Sequence, residues 1–219
     1  NNKIAIIFED KYVTYHMLKK LTYNLAINLS ELGIKKNDKI AILLPNCVEY
    51  LYIYFACFLL GAWVVPLNNR YEKDELKNVL IDSDVETIIF QDIIGVKNYQ
   101  KILSDIKEEL LVLKNFIVKS EKEYRSMISF LKLFEICEDI EEKMNGFDSP
   151  DIHQDDIALL AYTSGTTGIP KGVMISHGSL VYTSYYIGEI WRVRETYDEQ
   201  REIGLSVAPL YAAQGFLAV

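Results

Sequence analysis

The chain opens with short apolar runs that alternate with longer segments of helical periodicity. Residues 3–8 form a run typical of a strand, and Thr14 can then cap a helix that ends at Gly33. The helix is indicated by leucines at helical spacing, namely Leu18, Leu21, Leu25, Leu29 and Leu32. The next apolar run, residues 39–44, predicts a strand after this helix.

The same alternation continues beyond residue 44. Asn46, with Glu49 three residues later, predicts a capping box for a helix over residues 47–60. The pattern then predicts a strand at 62–67, a helix at 72–81 and a strand at 85–90. Strands that alternate with helices predict an α/β fold, with a mostly parallel sheet and helices on both of its faces.

The longest apolar stretch lies at residues 50–65. It is shorter than the roughly 18–20 residues that a membrane-spanning helix needs, and Gly61 and Pro66 interrupt or end it. We therefore expect a buried helix followed by a buried strand, and no transmembrane segment.

The second half of the chain has a less regular pattern. Residues 92–146 mix charge runs with one convincing strand at 115–119, and an acidic segment with Pro150 suggests an exposed connector. Beyond the connector, apolar runs at 157–162 and 173–175 predict two more strands. The loop between these two strands carries the clearest chemical signal.

The composition and net charge of the chain argue against some classes of binding partner. The 219 residues are 50% hydrophobic and 25% charged, which is typical of a globular chain. The formal net charge of −8 argues against nucleic acid as a partner, so any bound anion has to be held locally. The three cysteines have no C-x-x-C spacing and favour a reducing, cytoplasmic setting.

The loop at residues 162–172 reads Y-T-S-G-T-T-G-I-P-K-G. Its glycines allow successive backbone N–H groups to converge on phosphate oxygens, and its hydroxyl groups are further donors. Lys171 adds a positive charge, and Pro170 restricts the backbone just before it. The candidate anion-binding residues are therefore Thr163, Ser164, Gly165, Thr166, Thr167, Gly168 and Lys171.

Two other interpretations of this loop are weaker. An ordinary surface turn can have a similar composition, but it does not need so many constrained positions between two apolar strands. A Walker A loop would require glycine at Pro170 and serine or threonine at Gly172. The sequence contains neither G-x-G-x-x-G nor G-x-S-x-G, so a dinucleotide fold and a hydrolase nucleophile elbow are not supported.

The loop resembles the phosphate-loop signature of the AMP-forming adenylating enzymes, which include acyl-CoA synthetases, peptide-synthetase adenylation domains and beetle luciferases. Similar stretches occur at residues 13–18, 39–42 and 61–68, in the family's order. The resemblance implies that a carboxylate attacks the α-phosphate of MgATP to give an acyl-adenylate and pyrophosphate. A thiol then displaces AMP to form a thioester.

The resemblance also implies roles for individual residues. The loop residues from Ser164 to Gly168, together with Lys171, would hold the β- and γ-phosphates. Lys171 is the candidate catalytic residue, and Thr163 would lie near Mg²⁺. ATP, Mg²⁺ and CoA are the implied cofactors, and a small carboxylic acid is the implied substrate.

A second motif indicates which branch of this family the chain resembles. Residues 209–215, P-L-Y-A-A-Q-G, resemble the Pro-Leu-aromatic-His motif of acyl-CoA synthetases more than the Phe-Asp type motif of carrier-loading adenylation domains. Tyr211 and Ala212 would then belong to the acid pocket, with Ala212 where that branch commonly has His. We favour acyl-CoA synthesis, while a carrier-protein-loading domain and a non-enzymatic nucleotide-binding scaffold stay open.

The resemblance further implies an incomplete domain organisation. Residues 1–150 would form a first subdomain, and residues 151–219 the phosphate loop and the start of a second, without the C-terminal lid domain. We therefore expect an N-terminal fragment that is inactive alone. Near the loop, His177 lies where the resembled family often has His, and capping of a helix that starts near Gly178 explains it about as well. The aromatic group Tyr182, Tyr185, Tyr186 and Trp191 could line an acyl or adenine pocket, but core packing is favoured.

Overall fold

The computed structural model describes residues 3–136, 139–163, 170–190 and 204–212. These residues form the strands β1 (Ile4–Phe8), β2 (Lys11–Thr14), β3 (Lys39–Leu43), β4 (Trp63–Pro66), β5 (Thr87–Gln91), β6 (Ile93–Ile94), β7 (Lys97–Asn98), β8 (Asn115–Lys119), β9 (Ile128–Ser129), β10 (Ile157–Thr163) and β11 (Lys171–Ser176). They also form the helices α1 (Tyr15–Glu31), α2 (Val48–Leu60), α3 (Lys73–Asp82), α4 (Tyr99–Ile106), α5 (Ile140–Asn145) and α6 (His177–Ile190), with 3₁₀ turns at Lys107–Glu109 and Phe130–Phe134.

A mostly parallel sheet organises the described chain. Seven strands lie in the order β11-β10-β4-β3-β5-β8-β9. The pairs along β10, β4, β3, β5, β8 and β9 are all parallel, and the pair between β10 and β11 is antiparallel. Two small antiparallel hairpins, β1-β2 and β6-β7, lie outside this sheet. The predicted α/β fold is confirmed.

Strand β3 shows why helices cover both faces of the sheet. Successive side chains of a strand point to opposite faces, and every apolar residue of β3 is buried. Ile40 and Ile42 belong to a core cluster shared with α1 and α2, whereas Ala41 and Leu43 belong to a second cluster shared with α3 and α4. The continuous apolar run at this strand is therefore the pattern expected of a parallel strand between two helical layers.

The apolar stretch at residues 50–65 forms a buried helix followed by a buried strand, as predicted. Gly61 ends α2 in the left-handed conformation, with φ of 64°, and the chain then enters β4. Cys47 and Cys57 are free, buried thiols of this region. None of the helices formed by the described residues is long and apolar enough to cross a membrane.

The predicted capping box at the start of α2 is wrong. The helix begins at Val48 with Cys47 as its N-cap residue, and no side chain caps it. Glu49 instead forms an ion pair with Lys119 at the end of β8, with an Nζ–Oε1 distance of 3.0 Å. Asn46 bonds to a distant part of the chain, described below.

Candidate functional site

The carboxyl ends of the parallel strands lie along one edge of the sheet. The connection after β3 leads to α2 on one face, and the connection after β4 leads to α3 on the other. Loops that diverge to opposite faces leave a crevice between neighbouring strands, which is where open α/β sheets bind ligands. Strand β10, which leads into the candidate phosphate loop, lies next to β4.

The two ends of the candidate phosphate loop lie opposite each other on the β10-β11 hairpin. Thr163 pairs with Lys171 across the hairpin, and the Thr163 hydroxyl donates a long hydrogen bond of 3.5 Å to the Lys171 carbonyl. Both residues are exposed. The pairing therefore brings together two of the predicted site residues, while Ser164, Gly165, Thr166, Thr167 and Gly168 lie outside the described residues.

Tyr162, the first residue of the loop sequence, is anchored at both its ring and its hydroxyl. The hydroxyl donates a 2.6 Å hydrogen bond to Oδ2 of Asp82 at the end of α3. Burial of the hydroxyl and its bond to this carboxylate raise the pKa of Tyr162. Tyr162 therefore ties the start of the loop to a helix on one face of the sheet, a contact that the local sequence pattern does not reveal.

Gly172 leaves room for the Tyr162 ring at the other end of the loop. The two residues are partners in the hairpin register. A Cβ atom at position 172 would lie 3.3 Å from Cζ of Tyr162 and 3.0 Å from Cδ1 of Leu160. The absence of a side chain at Gly172 therefore avoids a tight contact with the Leu160 and Tyr162 side chains of the hairpin.

The predicted acid-pocket residues lie in a short turn that packs against the same side of the fold as α2. The backbone N–H of Ala212 donates to the Pro209 carbonyl at 3.0 Å, which closes the turn. Leu210 is buried in the core cluster that contains α2, and Tyr211 packs against that cluster. Leu210 thus attaches the turn to this core cluster, and Tyr211 and Ala212 are the next two residues of the turn.

His177 lies at the N-terminal end of α6, as its first residue. Its backbone N–H donates to the Asp156 carbonyl at 2.9 Å, and its ring lies edge-on against Phe58, with centroids 5.3 Å apart. Burial lowers the pKa of the imidazole. A packing role at the α6–α2 contact accounts for these observations.

The expectation of core packing for the aromatic group on α6 is wrong. Tyr182 is 64% exposed, and Tyr185 and Tyr186 are each 46% exposed. Tyr182 and Tyr186 contact each other through their rings and hydroxyls, with an oxygen–oxygen distance of 3.0 Å. Trp191 lies outside the described residues. This face of α6 is therefore a surface of the described chain.

Comparisons with known proteins identify the family of the chain. The sequence model of the AMP-binding family, described as AMP-binding enzyme, matches residues 1–219. The chain belongs to this family. A long-chain-fatty-acid–CoA ligase of Bacillus subtilis is 31% identical over 100% of this chain and 41% of its own length. A 2-succinylbenzoate–CoA ligase of Oceanobacillus iheyensis is 33% identical over 81% of this chain and 32% of its own length.

Solved structures of a CoA ligase and a CoA synthetase have the same fold. A long-chain-fatty-acid-CoA ligase from Archaeoglobus fulgidus has a TM-score of 0.75 at 23% identity, over 99% of this chain and 41% of that one. The o-succinylbenzoate CoA synthetase of Bacillus subtilis, solved with its acyl-adenylate intermediate, has a TM-score of 0.63 at 25% identity, over 99% and 49%. All of this chain aligns with the Bacillus subtilis ligase, and it spans about two fifths of that ligase's length.

Two described residues at the ends of the loop, Thr163 and Lys171, have side chains that are chemically suited to contact a nucleotide's phosphates. A hydroxyl and an ammonium group at the two ends of a loop are both suitable phosphate partners. Among the described residues, no group of three or more His, Cys, Asp or Glu side chains could hold a metal ion. Mg²⁺ is commonly bound through substrate phosphates with few protein ligands, so Thr163 would serve as one neutral oxygen beside a metal carried by the nucleotide.

Proposed function

We propose that the chain is the N-terminal part of an ATP-dependent acid–CoA ligase, which activates a carboxylic acid as an acyl-adenylate and transfers the acyl group to CoA. The observation that carries the proposal is the β10-β11 hairpin, with Thr163 and Lys171 paired where the loop leaves the sheet. The hairpin lies beside β4 at the carboxyl edge, next to the crevice between β3 and β4, and open α/β sheets bind ligands in such a crevice. The names of the relatives, which are CoA ligases, support the same reaction class.

In the proposed reaction the chain positions charge rather than supplying a nucleophile. A carboxylate oxygen of the acid attacks the α-phosphorus of ATP, and the bond to pyrophosphate breaks. Lys171 would place its ammonium group on the phosphates that leave, where negative charge increases in the transition state. Backbone N–H groups and hydroxyls from Ser164 to Gly168 would hold the same phosphates in place. Mg²⁺, held with Thr163, would neutralise part of their charge.

The acid would lie on the other side of the crevice, against the turn that contains Tyr211 and Ala212. Tyr211 is half-buried against the core cluster that includes α2, which gives it a fixed place from which to contact an acyl chain or ring. Ala212 has no side-chain donor and would leave space at the pocket entrance. The division into subdomains at residues 1–150 and 151–219 stays a prediction.

Acid-dependent exchange of pyrophosphate into ATP tests the proposed function in the full-length protein. With acetate, octanoate, palmitate, benzoate and 2-succinylbenzoate as the panel, we expect exchange with at least one acid and none without acid. CoA is then expected to convert the adenylate to a thioester with release of AMP. Transfer only to a phosphopantetheinyl carrier protein would favour the carrier-loading alternative. ATP binding without exchange for any acid would favour the nucleotide-binding scaffold.

We expect Gly172→Ala to raise the KM for ATP severalfold in this assay. The new Cβ would lie 3.0 Å from Cδ1 of Leu160 and 3.3 Å from Cζ of Tyr162, so these side chains have to give by a few tenths of an ångström beside the first residue of the loop sequence. Gly188→Ala is the matched control, because a Cβ atom at position 188 on α6 would meet nothing within 4 Å. Equal KM values for ATP in the two variants would contradict the packing argument.

A further inference from the structure

Asn46 connects the end of β3 to the turn that precedes the predicted acid pocket. Its side-chain amide donates from Nδ2 to the Ala208 carbonyl at 3.0 Å, and its Oδ1 accepts from the Leu210 backbone N–H at 2.9 Å. One side chain therefore bonds to the carbonyl and the N–H that flank Pro209, much as a neighbouring strand would. The partners are more than 160 residues away in sequence.

A second side chain from the same region holds the remaining polar group of Leu210. The hydroxyl of Tyr54 on α2 donates to the Leu210 carbonyl at 3.3 Å, and Tyr54 is almost fully buried. The Leu210 side chain is itself buried in the core cluster that includes α2. Both backbone polar groups of Leu210 are thus bonded by the connection and helix that follow β3.

The position of this anchor matters because Tyr211 and Ala212 come next in the chain. The hydrogen bond from Ala212 N–H to the Pro209 carbonyl makes residues 209–212 a closed turn, so a shift at Leu210 moves Tyr211 and Ala212 with it. The strand ends that flank the phosphate loop are held by other contacts, which include the β10-β11 pairing and the Tyr162–Asp82 hydrogen bond. Different contacts therefore hold the turn at residues 209–212 and the hairpin that flanks the phosphate loop.

We propose that Asn46 is a positioning residue for the carboxylic acid, which fixes the turn at residues 209–212 against the end of β3. This inference rests on the proposed function, since it assigns the turn to the acid side of that reaction. Asn46 would contact the turn and not the reacting atoms. Its loss is expected to impair acid binding while leaving ATP binding nearly intact.

The test uses Asn46→Ala in the full-length enzyme, with acid-dependent pyrophosphate exchange as the assay. Asn46 is exposed, so its replacement leaves no cavity in the core and the variant is expected to fold. We expect the KM for the acid that the wild type uses best to rise by about tenfold, because about 1.4 kcal/mol corresponds to tenfold and two hydrogen bonds are lost. The KM for ATP is expected to change less than about twofold.

Asn28→Ala is the matched control. The Asn28 amide also bonds to the backbone of a distant segment, donating to the Leu133 carbonyl at 2.8 Å, but on α1 and away from the crevice. We expect its KM for the acid to equal that of the wild type. Tyr54→Phe keeps the ring and removes the bond to the Leu210 carbonyl, so it is expected to raise the KM for the acid by a smaller factor than Asn46→Ala.

The outcomes separate the inference from the proposed function. If the wild type exchanges pyrophosphate and Asn46→Ala has an unchanged KM for the acid, the inference is overturned and the proposed function stands. Equal increases in the KM values for acid and ATP would also overturn it, because they would show a general structural role. A wild-type enzyme without exchange for any acid would overturn the proposed function and the inference with it.

Discussion

Replacing Lys171 with alanine in the full-length enzyme is expected to lower acid-dependent pyrophosphate release by more than about tenfold at saturating acid, a loss of about 1.4 kcal/mol or more in transition-state stabilisation. Lys171 lies at the end of the loop opposite Thr163 and is exposed at the carboxyl edge of the sheet. Its ammonium group would meet the phosphates that leave with pyrophosphate, where its charge has the largest effect as the bond breaks.

The same substitution is expected to leave the KM for the acid nearly unchanged, because the turn at residues 209–212, which we propose contacts the acid, is held by contacts that do not involve Lys171. Lys101→Ala is a suitable control: Lys101 is an exposed lysine on α4, and its backbone N–H rather than its side chain bonds to Asn98. An unaltered rate for Lys171→Ala would remove Lys171 from the site. A rate loss of the same size for Lys101→Ala would point to a nonspecific charge effect.

The elements of the sheet could be predicted from the sequence because their apolar runs are continuous and buried. Strand β8 has the limits that its pattern predicts, 115–119, and the apolar stretch before Pro66 divides into α2 and β4 at Gly61. Burial on both faces makes a run apolar at every position, and a turn residue then marks its end. The local sequence is therefore enough to predict elements of this kind.

Contacts between distant residues could not be predicted from the same pattern. Asn46 has the sequence context of a helix cap, yet its partners are Ala208 and Leu210. Tyr162 and Asp82 are 80 residues apart, and nothing near either one indicates the pairing. A side-chain amide or hydroxyl can satisfy its hydrogen bonds locally or remotely, and only the fold decides between them.

The aromatic group on α6 shows a different limit of prediction from sequence. Helical spacing predicts that Tyr182 and Tyr186 share a face, and their rings do contact each other. Periodicity says which residues share a face, but not what covers it. That face is exposed in the described chain, so the interpretation of these residues as core was wrong.

A polypeptide consisting of residues 1–219 alone is expected to self-associate and to catalyse no pyrophosphate exchange. The chain spans 41% of the length of the Bacillus subtilis ligase that it matches. On β11 and α6 it exposes large apolar side chains, including Met174 at 63%, Val181 at 70% and Ile190 at 74%. Strand β11 is also an edge of the described sheet. An apolar surface beside an open edge favours association with other chains.

The expected loss of exchange has a separate cause from the association. Under the proposed function, the described part of the chain supplies the hairpin that flanks the phosphate loop and one turn on the acid side, and the chain covers 41% of the length of the Bacillus subtilis ligase. Light scattering would measure association, and exchange with the acid panel would measure activity, with the full-length protein at equal concentration as control. A monodisperse polypeptide with robust exchange would show that residues 1–219 contain the whole catalytic apparatus, and would overturn the assignment of the chemistry to a longer enzyme.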